Sequence, residues 1–287
     1  MDGNLIVVRG AGDLASGVIH TLAGAGFRVL ALETAHPAAI RRQVCFCEAV
    51  YEGEATVEGL TAVRIDMLSD AEAVWKAGKI PVLVDPQCRC LDSIRPMALV
   101  DAILAKRNLG TNRAMAPLTV ALGPGFCAGR DVDAVIETCR GHDLGRIIVR
   151  GCARPNTGCP GIIGGFGRER VIHAPAAGVM QNVRAIGDIV DAGEIIAWVA
   201  HEGEKAPVTA KIPGVLRGLI RDGFSVHQGM KIADVDPRLE ERENCFTISD
   251  KSRCIAGSVL KLVCAQQKFS LSRSAPGEST ISGNCCC

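Results

Sequence analysis

The chain has 287 residues, of which 48% are hydrophobic, 22% are charged and only 3% are aromatic, and its formal net charge is +1. This composition is typical of a globular protein with two or three domains. The small net charge and the scarcity of aromatic side chains exclude nucleic acid and anionic membranes as expected partners. No apolar stretch reaches the length of about 18 residues that a membrane helix needs, and no basic leader opens the chain. A cytoplasmic protein is therefore predicted.

The beginning of the chain has the pattern of a strand, a helix and a second strand. Leu5–Val8 is a continuous apolar run of the kind that parallel sheets bury. A helical pattern follows to Ala25, Gly26 ends it, and a second strand covers 28–32. Further strands are predicted at 81–84, 98–104, 118–122 and 146–149, and helices at 70–77 and 131–140. This alternation predicts an α/β domain with a Rossmann-like, mostly parallel sheet over residues 1–172.

The next region contains one glycine pattern twice. Gly178, Gly187 and Gly193 recur as Gly214, Gly223 and Gly229, each at an offset of 36 residues (214−178). Two matched runs of short β segments predict a small all-β module over 173–237, of the barrel-sandwich-hybrid type seen in lipoyl and biotinyl carriers. Gly203 stands where those carriers have their modified lysine, and Lys205 lacks their flanking sequence. A structural or docking role is therefore predicted for this module.

The C-terminal part of the chain predicts one helix and a tail. Ser249 has the character of an N-cap for a helix from Asp250 to about Ala265, within a segment at 238–267. The tail at 268–287 is rich in serine and glycine, ends in three cysteines, and is predicted to be disordered. The chain has 14 cysteines, and a reducing compartment predicts that they are free thiols. Their spacing predicts no metal site.

The first turn carries a fingerprint for binding a dinucleotide. Gly10 permits a tight turn, Gly12 allows a pyrophosphate to approach the backbone, and Ala15 allows the helix to pack on the strand. Glu33 ends the second strand and is placed to accept hydrogen bonds from a ribose diol. Asp13 opposes a bound phosphate, with Arg9 offsetting its charge. A tight turn without any ligand is the alternative.

Three other loops could contribute to a binding site. Gly123 and Gly125 form a second glycine turn after a predicted strand. Another loop combines two cations with neutral donors, and a third is rich in glycine, proline and polar groups over 150–165. Such sets suit phosphate or another anion, and solvated surface loops are the alternative. The loop at 150–165 and the segment Lys106–Thr111 are predicted to face one pocket at the strand ends, where they would share a ligand. The predicted anion-binding residues are Lys106, Arg107, Asn108, Thr111, Asn156 and Thr157.

Several of these motifs together resemble one protein family. The motifs are Val8–Ala15, Arg41-Arg42, Glu48–Gly53, Ala105–Thr111, Leu122–Phe126, Arg140–His142 and Pro155–Gly158. In this order they are similar to the selenium-dependent molybdenum hydroxylase system proteins of the YqeB type. The resemblance covers about 4–265 and excludes the tail.

The resemblance implies an accessory protein that matures selenium-dependent molybdenum hydroxylases. Such a protein would bind the molybdopterin dinucleotide cofactor or its selenium ligand, and one of these hydroxylases would be its partner. The resemblance transfers no catalytic residues and implies no role for the cysteines. An NAD-dependent oxidoreductase is an alternative, because the same fingerprint would hold NAD. A non-catalytic scaffold for the partner enzyme is a second alternative, and the oligomeric state is open.

Overall fold

The computed structural model describes residues 4–158 and 161–274, and its largest sheet has nine strands in the order β10-β9-β7-β6-β1-β2-β5-β4-β3. The inner strands run parallel, whereas β3 is antiparallel to β4 and β10 is antiparallel to β9. The strands are β1 (Leu5–Arg9), β2 (Arg28–Glu33), β3 (Glu54–Val57), β4 (Leu60–Ile65), β5 (Ile80–Val84), β6 (Ala98–Asp101), β7 (Thr119–Leu122), β9 (Ala134–Ile136) and β10 (Ile147–Ile148). A separate pair is formed by β8 (Cys127–Ala128) and β11 (Gly151–Cys152).

The described residues contain four α-helices, and all but the short helix at 49–52 lie where the sequence predicts a helix. They are α1 (Asp13–Gly24), α2 (Ala49–Glu52), α3 (Ala71–Lys76) and α4 (Asp250–Ser274). The start of α4 is confirmed, since the Ser252 N–H donates to the Ser249 hydroxyl at 3.2 Å. Gly17 allows α4 to lie close to α1, because a Cβ there would stand 2.1 Å from Ser252 Oγ. Residues 268–274 of the predicted tail are helical, and 275–287 lie outside the described residues.

The predicted Rossmann-like domain is wrong. The nine-stranded sheet is mixed, and the described connections from β6 to β7 and from β7 to β9 contain no α-helix. The helix expected at 131–140 is instead strand β9 with flanking turns. Asp131, expected near the start of that helix, accepts a hydrogen bond from the Cys127 N–H at 2.8 Å and closes a loop. Short-range turn chemistry therefore outweighs helix periodicity in this segment.

The region of the repeat forms two antiparallel sheets of four strands, in the orders β12-β19-β17-β14 and β16-β15-β13-β18. Their strands are β12 (Val171–His173), β13 (Gly178–Asn182), β14 (Ile189–Val190), β15 (Ile195–His201), β16 (Glu204–Thr209), β17 (Gly214–Leu219), β18 (Ser225–Val226) and β19 (Lys231–Asp236). The barrel-sandwich-hybrid module predicted at 173–237 is corrected to this arrangement. The physical reason for the difference is the pairing of β12, which precedes the repeat, with β19. This pairing extends one of the two sheets by a strand.

The buried apolar side chains of the described residues form four clusters. The largest packs one face of the nine-stranded sheet against α1 and α4, and a second packs the other face against α3. A third lies between the two antiparallel sheets, and a small fourth cluster surrounds β8. The expectation of free thiols is wrong for Cys127 and Cys152, which form a disulfide because β8 and β11 place them opposite each other. No helix in the described part of the chain is both long enough and apolar enough to span a bilayer.

Candidate functional site

The carboxyl end of β1 enters a tight glycine turn. Gly10 has φ +103°, and a Cβ there would stand 3.1 Å from the carbonyl carbon and oxygen of Ala102. Gly12 precedes α1 with φ −74°, and no atom lies within 4 Å of the position of its Cβ. Ala15 is fully buried, as its packing role predicts. The turn is therefore sealed beneath Gly10 and open at Gly12.

Glu33 folds back over this turn. Its Oε2 accepts the Ala11 N–H at 2.8 Å, and its Oε1 accepts the Thr34 N–H at 2.8 Å. Desolvation raises the pKa of the Glu33 carboxyl, although both backbone hydrogen bonds oppose this shift. Each carboxylate oxygen can accept a further hydrogen bond. Glu33 thus holds the turn and retains acceptor capacity for a ligand hydroxyl.

The second glycine turn packs directly against the segment that leaves β6. A Cβ on Gly125 would stand 2.5 Å from the Arg107 backbone nitrogen and 2.7 Å from the Lys106 carbonyl carbon. A Cβ on Gly123 would stand 2.5 Å from the Thr138 hydroxyl oxygen. Lys106 and Arg107 are exposed. The structure therefore brings Gly123 and Gly125 together with the two predicted cations.

Asn108 and Thr111 shape this loop from within. The Asn108 Oδ1 accepts the N–H groups of Gly110 and Thr111, at 2.8 and 2.9 Å. Thr111 is buried, donates to Asp101 at 2.6 Å and accepts from Arg9 at 2.9 Å. These contacts tie the loop to β1 and β6, so the Thr111 hydroxyl faces the protein in this arrangement.

The loop at 150–165 lies beyond β10. The Arg154 N–H donates to Glu137 at 2.9 Å, and its guanidinium donates to Asp143. Asn156 and Thr157 lie in the exposed part of the loop that follows. Whether Asn156 shares a ligand with Lys106 stays a prediction.

Two open grooves in the described part of the chain are lined by residues other than the glycines of the two turns. One has an accessible volume of about 510 Å³ around residues 83–87, Arg89 and Cys90, and the other has about 790 Å³ around 146–150 and 152–155. Both are shallow and open to solvent. The second includes Arg154 and Pro155 and therefore adjoins the loop that carries Asn156.

The start of α1 is neutralised by a residue that the sequence did not single out for the role. Arg41 Nη1 donates to both carboxylate oxygens of Asp13, at 3.0 and 2.9 Å, and Nη2 donates to the Asn244 and Thr247 carbonyls. Arg9, the expected partner of Asp13, instead pairs with Asp101 at 3.5 Å. Gly12 is the N-cap, and Asp13 makes no capping hydrogen bond.

The start of α4 lies beside the start of α1. The Ser252 hydroxyl donates to the carbonyls of Asp13 and Leu14, at 3.4 Å each. Asp250, the first residue of α4, receives two hydrogen bonds from Arg140, at 2.8 and 3.0 Å. These bonds hold the pKa of the Asp250 carboxyl at about 2. Both helix N-termini thus carry an aspartate that an arginine neutralises.

Strands β17 and β19 bring further charges to these helix starts. Arg170 donates to Asp234 at 2.6 Å, and Arg238 donates twice to Asp236, at 2.9 and 2.8 Å. Arg217 lies among them, and its closest carboxylate is that of Asp234, at 3.8 Å. Desolvation lowers the pKa of Arg217, and so does the nearby charge of Arg41. The sequence signal for these residues was weak, because charged residues in an antiparallel strand normally indicate a solvated face.

No family model matches the chain. Among solved structures, the apo Ectoine utilization protein EutE (DoeB) from Ruegeria pomeroyi is 10% identical, covering 81% of this chain and 86% of that one, with a TM-score of 0.27. An aspartoacylase family protein from Mesorhizobium loti is 8% identical, covering 73% of this chain and 57% of that one, with a TM-score of 0.26. At such TM-scores these likenesses decide neither fold nor activity.

A curated relative gives a much stronger match. The "Uncharacterized protein YqeB" of Escherichia coli (strain K12) is 52% identical over 258 residues, which is 90% of this chain. The same alignment spans 47% of the relative, so the chain corresponds to about half of that protein's length. The chain is thus a homologue of YqeB over nearly all of its length, and this match supports the YqeB-type family.

Proposed function

We propose that this protein binds a phosphate-bearing nucleotide at the carboxyl edge of the nine-stranded sheet. We further propose that it acts as an accessory protein in the maturation of selenium-dependent molybdenum hydroxylases, with a molybdopterin dinucleotide as the first candidate ligand. The observation that carries the binding proposal is the position of the segment leaving β6. It lies against both glycine turns, through Ala102 at Gly10 and through Lys106 and Arg107 at Gly125.

This arrangement suits a ligand with phosphate groups. Carboxyl ends of parallel strands are where α/β sheets bind ligands. The open Gly12 lets a bulky anion approach the first N–H groups of α1, whose dipole favours negative charge. Lys106 and Arg107 supply exposed positive charge on the neighbouring loop. The residues present therefore fit a phosphate at Gly12 and a second anionic group nearer Lys106.

Glu33 supports the nucleotide part of the proposal. A ribose diol needs hydrogen-bond acceptors beside the phosphate site, and a carboxylate with free lone pairs provides them. Because Glu33 is anchored by the Ala11 and Thr34 N–H groups, its position is fixed before a ligand arrives. Such preorganisation reduces the entropic cost of binding.

The place in maturation rests on the family resemblance of the sequence motifs. The chain spans about half of its YqeB relative, and that relative's name states no activity. The proposed role is therefore tested in cells. In a host organism that makes a selenium-dependent molybdenum hydroxylase, deletion of the gene should lower the selenium content of the purified hydroxylase. Reintroducing the wild-type gene should restore that content. Full selenium content without the gene would contradict the role.

The binding site is tested by Gly12→Val. Gly12 has φ −74°, which valine can adopt, and its Cβ position is open, so the variant should fold normally. Its branched side chain should block the phosphate and weaken nucleotide binding on the order of tenfold or more. Gly24→Val is the matched control, since Gly24 ends α1 with equally open surroundings. Calorimetric titration with a cytidine-pterin dinucleotide and with NAD measures both.

The outcomes separate the candidate functions. Binding of the pterin dinucleotide that Gly12→Val weakens and Gly24→Val preserves supports the proposal. Binding of NAD alone would point to the oxidoreductase alternative. If neither nucleotide binds, and mass spectrometry of anaerobically purified protein detects no nucleotide, the binding proposal is wrong and the scaffold remains.

A further inference from the structure

We infer that Arg217 and Lys231 form a binding site for a phosphoryl dianion or a diphosphate, facing the adjacent N-termini of α1 and α4. The site lies on strands β17 and β19, outside the glycine turns described above. The inference rests on the proposed function only for the identity of the nucleotide that would carry the phosphate. The anion site itself stands on the charges and contacts of the described residues.

Each carboxylate near Arg217 is paired with another arginine. Asp13 is bound by Arg41, Asp250 by Arg140, Asp234 by Arg170 and Asp236 by Arg238. The side-chain ammonium groups of Lys231, Lys251 and Lys106 make no hydrogen bond or ion pair within residues 4–158 and 161–268, and the Arg217 guanidinium makes only the contact at 3.8 Å. The region therefore has more cations than carboxylates to balance them.

Arg217 is the centre of this imbalance. Its side chain is only 15% exposed, and its Nε is buried without a hydrogen-bond partner among the described residues. The Nε of Arg41, whose side chain is 7% exposed, is buried and unpartnered as well. Buried polar groups are normally paired, and the two guanidinium charges repel each other. An anion that accepts hydrogen bonds from the Arg217 guanidinium would reduce this repulsion.

Lys231 is exposed and lies on β19, the strand that pairs with the strand of Arg217. Desolvation lowers the pKa of its ammonium group, and the charges of Arg170, Arg217 and Lys106 lower it further. Lys106 thus lies within electrostatic reach of Lys231. A ligand that spans from Arg217 to Lys231 would therefore approach the loop to which the sequence assigned anion binding.

Two helix N-termini add to the positive potential. The start of α4 contacts the start of α1 through Ser252, so the positive ends of the two helix dipoles lie side by side. Their aspartates, Asp13 and Asp250, are neutralised by Arg41 and Arg140. The remaining positive potential is matched by a group with two or more negative charges, which is the charge of phosphate or diphosphate.

The test uses the full chain in a phosphate-free buffer. Inorganic phosphate and pyrophosphate are titrated by calorimetry into the wild type, Arg217→Gln, Lys231→Gln and Arg89→Gln. Arg89 is the matched control, because it is exposed and, among the described residues, its guanidinium donates hydrogen bonds to Gln87 alone. We expect Arg217→Gln to weaken pyrophosphate binding about tenfold or more and Lys231→Gln to weaken it by a smaller factor. Arg89→Gln should bind as the wild type does.

A thermal melt adds a readout that a merely structural arginine would not give. Without an anion, Arg217→Gln should melt at the same temperature as the wild type or higher, because it removes a repelled and unsatisfied charge. Pyrophosphate should raise the Tm of the wild type and leave that of Arg217→Gln unchanged. A lower Tm of Arg217→Gln without anion, together with unchanged pyrophosphate affinity, would show that Arg217 is structural and overturn the inference.

Failure of this site and failure of the proposed function give different results. If pyrophosphate binds through Arg217 but no nucleotide binds, the anion site stands and its ligand is free phosphate or diphosphate. If a nucleotide binds with equal affinity to the wild type and Arg217→Gln, the proposed function stands and this inference is wrong. Absence of phosphate and pyrophosphate binding by the wild type would also overturn it.

Discussion

The two halves of the internal repeat share the conformation of their glycines and differ in the chemistry of the residues between them. Gly178 and Gly214 have φ of +154° and +156°, and a Cβ on either would stand 2.4 or 2.3 Å from a carbonyl oxygen of the paired strand. Yet Gln181, Trp198 and Ala200 of the first half correspond to Arg217, Asp234 and Asp236 of the second. The comparison shows that the glycines preserve the backbone conformation at their own positions, while the side chains between them differ in charge and polarity between the two halves.

The second half is the one that contacts the nine-stranded sheet region. The Leu219 N–H donates to the Ile40 carbonyl at 2.8 Å, and Gly218 lies against Ile40 and Arg41. In the first half, Val183 and Ile189 remain exposed. Docking of one half thus explains why its charges are buried and placed beside α1 and α4. The sequence repeat alone does not indicate which half docks.

The largest expected effect on stability and anion binding together comes from the paired glycines. Gly178→Ala and Gly214→Ala each force a side chain onto a backbone carbonyl at a φ that alanine disfavours, so each should lower the free energy of unfolding by about 3 kcal/mol. Only Gly214→Ala should also weaken pyrophosphate binding, because β17 carries Arg217. Urea unfolding and calorimetry measure the two effects, with Gly24→Ala as the control. Loss of pyrophosphate binding in both variants would contradict the claim that only the second half of the repeat carries the anion site.

A second pair of equivalent positions tests the docking. Leu219 is fully buried, whereas its counterpart Val183 is 55% exposed. Leu219→Ala should lower the free energy of unfolding by about 2 to 4 kcal/mol, through lost burial and a cavity. Val183→Ala should change it by less than about 0.5 kcal/mol. Urea unfolding of both variants gives the difference, and equal losses would show that both halves are buried alike in solution.

The sequence predicts local features well where one segment decides them. The turn at Gly10 and the helix ending before Gly26 follow from glycine chemistry and periodicity, and the start of α4 follows from the Ser249 cap. The prediction of a helix at 131–140 is wrong because Asp131 closes a turn within its own loop. The prediction of the overall fold class is wrong because long-range strand pairing, such as that of β12 with β19, produces no local pattern in the sequence.

The candidate site shows the same limit. Lys106 and Gly125 could be proposed from composition, and the structure places their loops in contact. Arg41 and Arg217 are far apart along the chain, and their proximity arises only when β17 docks beside Ile40. Their charges could not be assigned to a site from the sequence, because a charged residue in a strand is normally solvated.

The smallest expected effect is in the titration of Asp250. Its pKa is lowered to about 2, first by the Arg140 hydrogen bonds and in smaller part by the charge of Arg217. A depressed carboxyl pKa adds stability above the unfolded value of 3.8, and this stability is lost as the pH falls through about 2. Because the Asp250 side chain is 73% exposed, Arg140→Gln should cost only about 0.5 kcal/mol at neutral pH.

The two halves of the repeat should differ in this titration as well. Arg217→Gln should raise the pKa of Asp250, since it removes a nearby positive charge from the second half. Gln181→Arg adds a charge at the equivalent position of the first half, which is exposed, and should leave that pKa unchanged. Carboxyl carbon shifts followed by NMR from pH 5 to about pH 1.5 cover the window set by the two pKa values. If both variants change the pKa of Asp250 by the same amount, the charge of Arg217 has no special influence on the start of α4. The electrostatic role assigned to the second half would then be wrong.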